Sequence, residues 1–126
     1  MAMPEEEAKR AAIEQGEEFG KMIIERMDIK ERGVQGIAKV LKTMTRDEPT
    51  STVEIEGNRV HVKNEGFCPV MTLCLDYNFP WEKMCKVMGW PFFLGVARVF
   101  NPKVEINVIK SRHRGDEYCD HTFEIK

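Results

Sequence analysis

The spacing of apolar residues in this chain changes at Pro49, and that change restricts the fold more than any other feature. Before it, from Glu5 to Met27, Ile13, Phe19, Ile23 and Met27 recur at helical spacing, with Ala12, Gly16 and Gly20 forming a thin strip of small residues beside them. The spacing predicts an amphipathic helix. Each glycine costs about 1 kcal/mol of helix propensity relative to alanine, a cost that makes sense where another backbone packs closely, the alternative being a slightly frayed helix. Gly33 breaks the pattern, and Val34, Ile37, Leu41 and Met44 give a second helical stripe. After Pro49 the period is two: Val53 and Ile55 alternate with Glu54 and Glu56, and Val60 and Val62 alternate with Arg59, His61 and Lys63. Gly57-Asn58 between these runs suits a tight hairpin turn, and an acidic strand then faces a basic one. His61, among charged residues, is expected to be solvated.

Prolines punctuate the middle of the chain. Pro69, Pro80 and Pro91 each fit the first turn of a helix, where a missing N–H costs nothing, which predicts helices near 69–77, 80–88 and 91–100. Val104, Ile106 and Val108 then alternate, "KSRHRGDE" makes a connection, and Cys119, His121, Phe123 and Ile125 share one face of a last strand. The expected fold is α+β: two N-terminal helices, an antiparallel sheet from two hairpins, and short helices between them. With 126 residues, one domain spanning 1–126 is expected.

Nineteen basic and 21 acidic residues nearly cancel and are interspersed apart from the run Glu5, Glu6, Glu7, so nothing suggests binding to nucleic acid or to a membrane surface. No apolar segment approaches the length of a membrane span, and the reading is a soluble, cytoplasmic protein. In that compartment thiols stay reduced. The four cysteines, separated by five, ten and 33 residues, therefore argue for packing, catalysis or a metal before disulfides.

These cysteines are not equivalent. Cys68 precedes the proline that opens a helix, and at an N-cap the free N–H groups and the helix dipole favour a thiolate. It is the candidate nucleophile, with a small apolar cap as the plainer reading. Cys74 lies on a stripe with Val70, Met71 and Tyr77, and Cys85 on one with Trp81, Met84 and Met88, which reads as packing. Cys119 and His121 point to the same side of a strand, and a histidine facing a core needs a hydrogen-bond partner or a ligand. Cys119 and His121 could contribute two zinc ligands, with Cys85 or Cys68 approaching from a helix to complete the site, although no C-x-x-C pair is present. Asp76 could orient a base, or cap a helix. There is no G-x-S-x-G, phosphate-binding glycine loop or H-E-x-x-H.

Cys68-Pro69, the later helical Cys85 and the terminal "GDEYCDHTFEIK" resemble the group that contains 4-vinyl reductase-like small-molecule-binding domains and the L-2-amino-thiazoline-4-carboxylic acid hydrolase family. The resemblance covers roughly the second half of the chain. It implies an α+β domain, often dimeric, with a pocket between helices and a curved sheet. Cys119 matches the zinc-site cysteine of the sensors, whose closely spaced Glu and Cys ligands are not recognisable here; Cys68, Cys85 and Cys119 match the hydrolase-like pattern, although the hydrolases are longer.

Two functions are therefore expected. The first is a small-molecule-binding domain whose pocket is lined by Tyr77, Trp81, Trp90 and Phe93 together with the thiols and His121. The alternative is a cysteine-dependent hydrolase with Cys68 as nucleophile and His121 moving protons. A homo-oligomer is also expected, the small-residue strip at Gly16 and Gly20 offering one surface for it.

Overall fold

The structure is a computed structural model and describes residues 4–45, 51–65, 74–78, 80–112 and 115–126. Helix α1 spans Glu5–Met27, bounded by Pro4 and by Asp28 in the left-handed conformation, and α2 spans Gly33–Met44. Strands β1 (Ser51–Glu56) and β2 (Arg59–Asn64) form the first hairpin, β3 (Val104–Lys110) and β4 (Cys119–Ile125) the second. The four make one antiparallel sheet in the order β1-β2-β4-β3. Gly57 supplies the positive φ of 62° at the first turn. Glu56 pairs with Arg59 across that hairpin and bridges it at 3.7 Å.

Of the helix expected over 69–77, residues 74–77 are helical and the remainder lies outside the described residues. The helices expected near 80–88 and 91–100 are one. Helix α3 (Trp81–Met84) runs through a π turn (Cys85–Gly89) into α4 (Trp90–Arg98). Pro91 has no N–H to donate, and in a regular helix its ring would press on the carbonyl four residues back, at Val87. The wider turn, closed by the Trp90 N–H on the Cys85 carbonyl, accommodates the ring without breaking the helix.

Helices α2 and α4 lie against the sheet, and α1 packs on α4 and the π turn. Register sets the two faces. Val62, His121 and Val108 are aligned across three strands, as are Val60, Phe123 and Ile106. This is the helix-facing side. Its core is Ile37, Val40 and Leu41 of α2, Val96, Ala97 and Phe100 at α4, and Val60, Val104 and Phe123 of the sheet. The opposite face carries Glu54, His61, Thr122 and Asn107 in one row and Thr52, Lys63, Asp120 and Lys110 in the next.

The small-residue strip of α1 is used within the chain. A Cβ on Gly16 would fall 2.0 Å from the Phe92 carbonyl oxygen, and one on Gly95 would fall 2.1 Å from the Ile13 carbonyl oxygen. Two helix backbones thus meet where neither has a side chain, and the strip supplies no argument for a homo-oligomer. No helix among the described residues is long and apolar enough to cross a membrane.

Candidate functional site

Two histidines, on opposite faces of the sheet, carry most of the polar chemistry among the described residues. His121 is placed by β4 on the helix-facing side between Val62 and Val108. The start of α4 covers it with Trp90, whose ring meets the imidazole edge-on at 6.3 Å between centroids. The extra residue of the π turn rotates the helix beyond it by about 100°, which changes the side that Trp90 and Phe93 present. His121 is half-buried as a residue, but its Nε2 is excluded from solvent and has no hydrogen-bond partner among the described residues. Burial lowers its pKa from 6.5 to about 4, while the neighbouring Asp120, on the other side of the strand, acts weakly in the opposite sense. At neutral pH it is an uncharged imidazole in an apolar setting.

His61 is not the solvated residue its neighbours suggest. Its Nε2 is hydrogen-bonded to Asp120 Oδ1 and its Nδ1 lies 3.5 Å from Glu56 Oε1. Asp120 is buried, though it belongs to the polar face. Through its hydrogen bond to Asp120, His61 ties the first hairpin to β4. Beside it, the Tyr118 ring lies 4.1 Å from Lys63 Nζ and 4.7 Å from Lys110 Nζ, and Lys110 also donates to the Tyr118 hydroxyl at 3.1 Å. That hydrogen bond raises the Lys110 pKa. This face is a set of cross-strand clasps. Sequence reasoning missed it because β2 and β4 are 55 or more positions apart and nothing local announces their pairing.

The other expected site residues are dispersed. Cys68 lies outside the described residues, as does His113. Cys119 is half-buried at the start of β4, where its sulfur accepts the Arg112 backbone N–H at 3.5 Å. Arg112 also reaches back to the Glu65 carbonyl at 3.1 Å, anchoring the second hairpin's loop to the end of β2. Cys74 and Cys85 are buried, as their apolar stripes imply. Cys85, Cys119 and His121 do not come together: among the described residues no three His, Cys, Asp or Glu side chains form a group able to hold a metal ion. Cys119 and His121 together offer two ligands, one or two short of a zinc site.

Of the four aromatic residues expected to line a pocket, Trp90 meets His121. Phe93 is half-buried against the core and edge-on to Phe92 at 6.2 Å, and Trp81 is half-buried on α3. Tyr77 is 67% exposed, just before Asn78 turns the chain with a positive φ of 56°, so its ring is not enclosed with the others. One open depression lies on α1, lined by Ala11, Glu14, Gln15, Glu17 and Glu18, and none of these aromatic or sulfur residues borders it.

No protein-family model matches the chain, and no curated protein matches its sequence.

Proposed function

We propose that this chain is a small-molecule-binding domain in which His121 is the polar anchor and Trp90 the apolar wall, as the likeness to 4-vinyl reductase-like domains implies. The observation that carries the reading is the buried His121 Nε2 with no partner among the described residues. An unsatisfied buried nitrogen costs about 1–3 kcal/mol, and a ligand that supplies its hydrogen bond recovers that cost. The ligand suited to it is small and largely apolar, with a hydroxyl, carbonyl or carboxyl group to meet a neutral imidazole.

Binding is favoured over hydrolysis by the same residue. A general base works best with a pKa near the working pH, and a histidine held at about 4 accepts a proton too weakly to activate a thiol efficiently. Zinc plays no part in this proposal, because the described ligands do not assemble.

Native mass spectrometry of freshly purified protein, with NMR of the imidazole nitrogens during titration with small aromatic alcohols and acids, tests the reading. A retained or added small molecule should move the His121 Nε2 resonance, and His121→Leu should lose that molecule while keeping its fold. Protein that is empty as isolated, with a His121 resonance that no compound moves, would overturn it.

A further inference from the structure

The π turn that carries Trp90 has a carbonyl to spare. In a regular helix the Trp90 N–H would donate to Lys86, but here it donates to Cys85, and the next residue, Pro91, has no N–H. The carbonyl of Lys86, an exposed residue, therefore receives neither the α-type nor the π-type bond. The helix is held unequally on the two sides of this point. Beyond Pro91, Gly95 lies against the Ile13 backbone and Val96 and Ala97 are buried, whereas α3 before the turn has no buried residue. Trp90 stands at the joint, half-buried, with its ring against His121.

We propose that Trp90 is a gate on the His121 site and the π turn its two-state hinge. The proposal rests on His121 being a ligand anchor, since an Nε2 excluded from solvent is reached only when a neighbour moves. Val62 and Val108, which flank His121 in the sheet, are held by strand register, and this leaves the start of α4 to move. In the closed state the Trp90 N–H is on the Cys85 carbonyl. In the open state it takes the Lys86 carbonyl, the wide turn passes one residue along the helix, and the indole rotates by up to about 100° away from the imidazole. One hydrogen bond replaces another, and Pro91 contributes no N–H bond that would have to break first. A helix register shift of this kind belongs to the microsecond-to-millisecond range.

Two measurements on ligand-free protein test the gate, and so succeed or fail separately from the search for a ligand. Histidine NMR titration should place the His121 pKa at about 4 in the wild type and move it towards 6.5 in Trp90→Ala, where water reaches the ring, with Trp90→Phe between them. Relaxation dispersion should show the Trp90 indole and the His121 imidazole of the wild type exchanging together. Pro91→Ala supplies an N–H that can take the Lys86 carbonyl and hold the turn closed, and it should lower the open population about two- to tenfold, the worth of one hydrogen bond. Circular dichroism checks that each variant is folded. A His121 pKa unmoved by both Trp90 variants, no exchange at the two rings, or exchange indifferent to Pro91→Ala overturns the proposal.

Discussion

Gly16→Ala tests the central packing of the fold, because it adds one methyl group where two helix backbones touch. The new Cβ would lie 2.0 Å from the Phe92 carbonyl oxygen and 3.1 Å from the Gly95 Cα. A carbon and an oxygen normally approach no closer than about 3.3 Å, so α1 and α4 must move apart by roughly 1.3 Å. The blocking atom is a helix carbonyl, which cannot rotate away as a side chain can. A gap of about 1 Å forfeits a quarter to a half of the dispersion energy of each contact along the interface, and overpacking of this kind costs about 1–3 kcal/mol or more. Alanine returns about 1 kcal/mol through helix propensity. Because the blocking atom is backbone, the overpacking cost lies at the upper end of that range, and the net expectation is a loss of about 2 kcal/mol, equivalent to a fall in Tm of roughly 6–10 °C for a domain of this size. Urea denaturation followed by far-UV circular dichroism measures it, with an unchanged m-value expected. Gly20→Ala should cost less, since its Cβ meets a side-chain methyl of Val99 at 3.0 Å and the nearest backbone atom, the Val96 oxygen, at 3.3 Å. Gln15→Ala, on the exposed side of α1, should stay within about 0.5 kcal/mol of wild type. A Gly16→Ala protein as stable as wild type, or more so, would refute the close backbone contact.

The two histidines give further expected outcomes. His121 has a folded pKa below its unfolded value, so its contribution is complete above pH 6.5. As pH falls towards 4 the unfolded chain takes up a proton that the folded chain refuses, and about 3 kcal/mol is lost across that window. Stability measured from pH 7 to 4 should show this component in the wild type and lack it in His121→Leu. At pH 7 the same variant should be more stable by about 1 kcal/mol, because it removes an unsatisfied nitrogen; a destabilised His121→Leu would mean that the imidazole has a partner worth more than its burial costs. Asp120→Ala should cost about 1–3 kcal/mol by removing the buried acceptor of His61, and Asp120→Asn, which keeps an oxygen, should recover part of that loss in the same denaturation assay.

Much of the fold is legible residue by residue. The apolar spacing marks α1 over its full length, and the alternation in β2 and β4 tells which side chains face the helices, His121 among them. The candidate site is less so. Alternation puts Cys119 and His121 on one side of a strand, but whether Cys85 joins them depends on how α3 and α4 connect, and a π turn redirects that helix in a way periodicity does not encode. His61 reads as solvated because the charges beside it in sequence are exposed, whereas its partner Asp120 arrives from a strand paired only in the folded sheet.

Local chemistry accounts for what the sequence determined alone: the spacing of apolar residues and the φ preferences of glycine set the two N-terminal helices, the strands, their buried sides and the first turn. The tertiary structure decided which distant elements meet. Gly16 and Gly20 announced a close neighbour and only the folded chain shows that it is α4. Likewise, one strand sends Asp120 to a clasp with His61 and His121 beneath Trp90, an outcome that required both hairpins and the helix to be in place, because contact energy between residues far apart in sequence exists only once the chain has closed on itself.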